Sequence, residues 1–184
     1  MRVRATVMVL VALLAAPALA MAQSEWVDDP VNPAIPPPNP GAWDGQRYPA
    51  AVLEVDGIYH LYYIGRLSSS GEQDFQIGHA TSPDGHPPWT IDPANPVLRR
   101  GDPGEWDDFG VGGGGVIHDG SLFRYWYGGS DGEVGIRAGY ATSTDGSVWY
   151  KYGGNPIIDV GPPGSFDDTS VIPGTVIFHE GLYR

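Results

Sequence analysis

Acidic residues recur at fixed places along this sequence. Trp43-Asp44, Trp106-Asp107-Asp108 and Phe166-Asp167-Asp168 stand 63 and 60 residues apart, and each leads into an apolar stretch. A carboxylate so placed either accepts hydrogen bonds from the backbone of the adjoining turn or moves protons in a reaction. A residue repeated in every copy does what every copy needs, which favours turn capping for Asp107 and Asp167. Asp44, Asp108 and Asp168 are the candidates for acid–base chemistry. Residues that break the repeat carry more information, because the repeated architecture does not require them. Arg47 has no cationic counterpart in the other two copies, so its guanidinium either forks onto a ligand hydroxyl or carboxylate or pairs with Asp44. Tyr48 and Trp106 are the accompanying candidates for ligand contact. His118 and His179 sit beside Asp-Gly and Glu-Gly turns, where turn hydrogen bonding is expected rather than metal binding or proton transfer. Gly112 to Gly115 lack the Lys-Ser/Thr and the helix of a phosphate loop, and closely packed strands account for them better. No metal site and no cofactor is expected.

Strands and turns must position these residues. Val52 to Tyr59, Val116 to Phe123 and Val176 to Tyr183 each read as a hairpin, with Asp56-Gly57, Asp119-Gly120 or Glu180-Gly181 supplying the positive φ of its turn. A later landmark, GHATSPDGHPPW from Gly78 to Trp89, returns as GYATSTDGSVW from Gly139 to Trp149. Asn95-Pro96 and Asn155-Pro156 follow the two tryptophans at the same distance, and Trp26 stands at that distance before Asn32-Pro33. One full unit predicts four strands: Gly110 to Ile117, Leu122 to Gly128, Val134 to Thr142 and Val148 to Tyr152. The corresponding first strands elsewhere are Tyr48 to Val55 and Ser170 to Phe178. No stretch has the apolar period and caps of an amphipathic helix. The expected fold class is therefore all-β: a β-propeller of four-stranded antiparallel blades, with a repeat of roughly 60 residues that is too small to bury a core alone.

The expected organisation runs from a signal peptide at 1–22, through a borrowed outer strand and Pro-rich lead at 23–42, to blades at 43–98 and 106–158 and the start of a third at 166–184. Arg2 and Arg4 precede an apolar run that breaks at Pro17, and small residues follow, as in a segment cleaved on export. Two whole blades and parts of others are fewer than the four or so of a closed ring, so a partial propeller is expected. With 0 Cys, neither disulfides nor thiolate metal sites hold an exported chain of this kind together. Without Arg2 and Arg4 the 10 basic residues fall to 8 against 22 acidic ones, a formal charge of −14 that disfavours nucleic acid and anionic membrane as partners. A surface with 6 Trp and 10 Tyr suits neutral, polyhydroxylated ligands, although aromatics are also ordinary strand formers.

The succession of strand, Asp-Gly turn, Tyr125-Trp126-Tyr127 strand, Ala-Thr-Ser-x-Asp-Gly turn, Trp149 and Asn155-Pro156 resembles the five-bladed propeller glycosidases, the grouping of glycoside hydrolase families 43 and 32. The resemblance runs from residue 24 to 184. With the signal peptide sending the protein outside the cytoplasm, extracellular or periplasmic, the resemblance implies carbohydrate binding and cleavage of glycosidic bonds with carboxylates around a central funnel, one protonating the leaving oxygen while the other activates water or attacks carbon. Where that grouping has an Asp-Pro on its first inner strand this chain has Tyr48-Pro49, and where a Glu-Gly-Pro-like segment is usual it has Val171-Ile172-Pro173. No nucleophile or acid is therefore carried over by motif. The alternative is a carbohydrate-binding or scaffold propeller without catalysis. The Ser-x-Asp-Gly turns also resemble the Asp-box turns of sialidase propellers, which are structural and support the same fold.

Overall fold

The computed structural model describes residues 30–67 and 74–184. The expected signal peptide and Trp26 lie outside the described residues. Among those described there is no helix. Two four-stranded antiparallel sheets carry the fold, with spatial order following chain order. The first blade comprises β1 (Gln46–Val55), β2 (Ile58–Arg66), β3 (Gln76–Ser82) and the short β4 (Thr90–Ile91). The second comprises β5 (Gly110–His118), β6 (Phe123–Ser130), β7 (Arg137–Ser143) and β8 (Tyr150–Lys151). A two-residue hairpin, β9 (Phe178–His179) and β10 (Leu182–Tyr183), follows.

Equivalent residues make equivalent bonds in both sheets. β2 and β3 pair with Leu61 opposite Ala80, and β6 and β7 pair with Tyr125 opposite Ala141. After each outer strand the chain doubles back through Asn-Pro, so that Leu98 bridges Ile77 and Ile158 bridges Ala138. Each inner strand has one register shift, between Pro49 and Ala51 in β1 and between Gly112 and Gly114 in β5. Such a bulge increases the twist of a strand crowded at an axis.

The core lies between the blades. One cluster joins Tyr62 and Ile77 of the first blade, Leu98 after it, and Val111, Val116, Tyr125, Tyr127 and Ala141 of the second. The facing sides of the two sheets are buried by each other, as expected of stacked repeats, while Leu61, Ala80 and Trp89 of the first blade are covered on its other side by Ala34 and Ile35. Backbone bonds join the units at one repeated place: Val111 N–H donates to Phe75 O (2.9 Å), and Val171 N–H donates to Ile136 O (2.8 Å). β1 packs against β5. A Cβ on Gly115 of β5 would come within 2.6 Å of Gly174 O. β1 and β5 thus stand side by side, the irregular segment around Gly174 approaches β5 as closely, and the glycine run permits both approaches. At Gly114 the requirement is stronger still, because φ is +148° and a Cβ would lie 1.8 Å from Trp126 O.

The strand expected from Ser170 to Phe178 forms a ladder only at its end. Its partners begin at Leu182, and Ile177 and Arg184 exchange the last pair of backbone bonds at 2.8 and 2.9 Å. The second-blade strands keep their expected places, except that the third begins at Arg137 rather than Val134. Asp131 Oδ1 accepts the amides of Glu133 and Val134, both at 3.0 Å, and holds that stretch as a turn.

Candidate functional site

The acidic turns lead into the inner strands at one end of the sheets, and the structure gives their carboxylates two distinct kinds of surroundings. Asp44 is buried just before β1. Its Oδ2 accepts the Tyr63 hydroxyl at 2.9 Å and Arg47 Nε at 2.9 Å, with the other arm of the guanidinium at 2.8 Å. Asp107 holds the same place before β5, where Oδ2 accepts the Tyr127 hydroxyl at 3.1 Å and Lys151 Nζ at 2.7 Å. Burial beside these carboxylates raises the pKa of both tyrosine hydroxyls, so each remains a donor. Each tyrosine oxygen also accepts an amide N–H at 3.2 Å, from Asn95 in the first blade and Asn155 in the second. Those asparagines span their third strands as well: Asn95 accepts from His79 N–H and donates to His79 O, and Asn155 does the same with Tyr140. An Asp–Tyr–Asn web therefore ties the turn into each blade to its second and third strands.

Asp108 and Asp168 cap turns. Asp108 Oδ2 accepts Gly104 N–H and Asp168 Oδ2 accepts Gly164 N–H, both at 2.6 Å. The Gly164 backbone bond, with the Thr169 hydroxyl, lowers the Asp168 pKa and keeps the exposed carboxylate ionised. Asp167 follows Asp107 in its backbone role: Gly161 N–H donates to Asp167 O at 3.0 Å as Gly101 N–H donates to Asp107 O at 3.1 Å.

Of the expected ligand contacts, Arg47 is fixed on Asp44, on Pro36 O and over the Tyr63 ring, 5.3 Å from its centroid. Tyr48 is exposed, with its hydroxyl on Gln46 Oε1 at 3.1 Å. Trp106 is part-buried against Tyr127 and lies under the Arg137 guanidinium, which also bonds its carbonyl at 2.9 Å. Asp44, Arg47 and Tyr48 come together at the start of β1. Trp106 and Asp108 lie at the corresponding start of β5, and Asp168 precedes the third first strand. An apolar recess of about 160 Å³ opens between the second blade and the third segment, lined by Phe75, Phe109, Gly112, Gly113, Ile136 and Ile172. Among the described residues no group of His, Asp or Glu is arranged to hold a metal ion.

Reasoning from the sequence missed a buried chain on the opposite side of the first blade. His60 Nδ1 lies 3.0 Å from His79 Nε2, and His79 Nδ1 lies 2.8 Å from Asp92 Oδ2, which also accepts the Ser147 hydroxyl of the second blade. The signal was present in the repeat. The equivalent positions in the second blade are Arg124, Tyr140 and Tyr152, so the three residues break the pattern together.

No protein-family model and no curated protein matches the sequence. Solved structures do. A family 117 glycoside hydrolase of the marine bacterium Zobellia galactanivorans is 17% identical with a TM-score of 0.64, over 77% of this chain and 48% of that one. The β-fructofuranosidase of Schwanniomyces occidentalis, complexed with fructosyl-erythritol, is 19% identical with a TM-score of 0.60, over 76% of this chain and 28% of that one. Fructan 1-exohydrolase IIa of Cichorium intybus, in complex with 1-kestose, is 23% identical with a TM-score of 0.54, over 71% and 24%. The chain spans half or less of the length of these structures. At such identities the likeness is one of fold, and with the repeated four-stranded sheets it establishes that this chain is an incomplete all-β propeller of the architecture found in those glycosidases.

Proposed function

We propose that this chain supplies blades to a secreted, carbohydrate-directed propeller of the glycosidase type, which hydrolyses glycosidic bonds of a poly- or oligosaccharide with paired carboxylates at the funnel. The observation that carries the reading is that β1, β5 and the segment at Val171–Gly174 pack in succession through equivalent contacts, each preceded by an acid-bearing turn. Glycoside hydrolysis needs two carboxylates facing one bond, and turns gathered around an axis bring acids from separate blades toward a common space. Asp108 and Asp168, each holding one turn amide through Oδ2, suit the work better than buried Asp44, whose Oδ2 takes both the Tyr63 hydroxyl and the Arg47 guanidinium. Exposed Tyr48 and the recess beside Phe109 offer flat apolar surface for a sugar face. No cofactor enters the reaction, and the acidic composition fits a neutral carbohydrate rather than nucleic acid or an anionic membrane.

A second reading has its own support. Asp44 and Asp107 share one structural web, and Asp108 and Asp168 share one turn bond, as in a carbohydrate-binding or scaffold propeller that performs no chemistry. The test incubates the longest secreted form of the protein with arabinan, xylan, fructan and mannan and follows reducing ends and binding in parallel. Turnover of one substrate, reduced at least ~100-fold in Asp108→Asn or Asp168→Asn with the fold intact, is the expected result. Binding without turnover on every substrate selects the second reading.

A further inference from the structure

The chain from His60 to Ser147 shares no residue with the acidic turns, and blade architecture does not require it, since the second blade has Arg124, Tyr140 and Tyr152 at the positions of His60, His79 and Asp92. Its proton positions follow from its geometry. Asp92, ionised, accepts the proton on His79 Nδ1, so neutral His79 presents a lone pair at Nε2, and that lone pair accepts the proton on His60 Nδ1. The two imidazoles are also stacked, with centroids 5.2 Å apart and planes at 14°. At its far end Asp92 takes the hydroxyl of Ser147 from the turn between β7 and β8. Next to that contact Tyr62, stacked on His79 at 4.8 Å, donates its hydroxyl to Gly146 O at 2.8 Å. A line of assigned protons thus crosses from the first blade to the second.

We propose that the His60–His79–Asp92–Ser147 chain is an acid-sensitive latch, which holds the first blade to the second at neutral pH and loosens that junction when it takes up a proton. An added proton creates an imidazolium in a pair that is nine-tenths or more removed from solvent, with Phe123 against the His60 ring at 5.0 Å. Protonation of His79 at Nε2 also sets two N–H groups against each other, which breaks the bond to His60. The titratable groups facing the pair are Tyr62 of β2, Asp92 after β4, His118 at the end of β5 and Asp145 in the β7–β8 turn. The two carboxylates favour the protonated form of His79, and His118 opposes that of His60. Burial outweighs the carboxylates at His79, whose pKa is lowered. At His60 burial, then His79 and His118, lower the pKa from 6.5 to about 4.

The sign follows from that depression. Above pH 6.5 neither folded nor unfolded His60 binds the proton and stability is complete. Between 6.5 and about 4 the unfolded chain binds it and the folded chain does not, so stability falls as pH falls. The folding constant should drop by up to about tenfold per pH unit across that window on account of this one group. The experiment compares chemical denaturation of the full chain with that of His60→Asn, whose amide can donate to His79 without titrating, from pH 7.5 to 4.5. The latch predicts a shallower decline in H60N, with amide protection at Gly146 and Ser147, taken relative to the intrinsic exchange rate at each pH, falling on acidification in the wild type alone. Parallel profiles overturn it. The wild type also tests the latch if the variant does not fold: a His60 imidazole that stays neutral well below pH 6.5, together with protection at Gly146 and Ser147 that falls on acidification, upholds it, and titration near 6.5 refutes it.

Discussion

In the first blade the Asp44 carboxylate accepts the Tyr63 hydroxyl and Asn95 bonds that tyrosine, while in the second blade Asp107, Tyr127 and Asn155 do the same with distances that match within 0.2 Å. The faces turned toward the next unit are not alike. His60, His79 and Asp92 meet the second blade as a relay of shared protons. Arg124, Tyr140 and Tyr152 occupy the same positions in the second blade, where Arg124 pairs with Asp119 and Tyr140 and stacks over the Tyr183 ring. What holds a blade together is therefore repeated, and what joins it to its neighbour is written separately for each junction. The difference follows from geometry: every blade closes the same four-stranded sheet, whereas each junction meets a different surface.

The largest effect should come from the inner strands, where the blades also differ. Gly114→Ala places a methyl group 1.8 Å from Trp126 O at a φ of +148°, which should cost more than about 3 kcal/mol in denaturant melts. Ala50→Gly, at the unpaired bulge residue of β1, should cost about 1 kcal/mol or less. A mild Gly114→Ala would mean that β5 does not approach its partner strand as closely as the bulge requires. Next come the asparagines. Asn95→Ala and Asn155→Ala each remove a side chain that both donates to and accepts from its third strand, a loss of about 2 kcal/mol in either blade. A large difference between the two would break the equivalence of the webs. The smallest effect belongs to the junction: Tyr62→Phe removes the bond to Gly146 O while leaving the ring in the core, and should shift stability by about 1 kcal/mol. Faster exchange at Gly146, with the Asn155 web undisturbed, would sharpen the distinction between the blade and its junction.

The strands were legible because their turns need residues of special backbone freedom. Asp56 and Gly57 both take positive φ at the first hairpin, as the Asp-Gly pair leads one to expect. Gly110 through Ser130 was readable to within two residues at each strand end, since apolar alternation and the Gly120 turn fix the register. The start of β7 was not, because the apolar Val134 reads as strand while Asp131 binds its amide into a turn. Ser170 to Ile177 has the pattern of an inner strand, yet a pattern states only which face is apolar, and a ladder needs a partner in register. The acids were found by their recurrence, and the same recurrence was a sign of the turns that Asp108 and Asp168 cap. The His60 relay was hidden because its members lie 19 and 13 residues apart, with Ser147 another 55 beyond Asp92, and only the stacking of blades brings them together.

The central claim is that the two sheets stand face to face as neighbouring blades, with the Trp149 side chain of the second set against Tyr62 of the first. Nuclear Overhauser spectroscopy of the full chain tests this directly through the Tyr62 and Trp149 rings, whose centroids lie 5.7 Å apart, and the Ile64 Cδ1 methyl, 3.4 Å from where a Cβ of Gly113 would stand. Cross-peaks from Tyr62 to Trp149 and from Ile64 to the Gly113 α-protons are the predicted result. A folded protein showing the contacts within each sheet but neither of these would contradict the propeller arrangement, and the carbohydrate reading that rests on it.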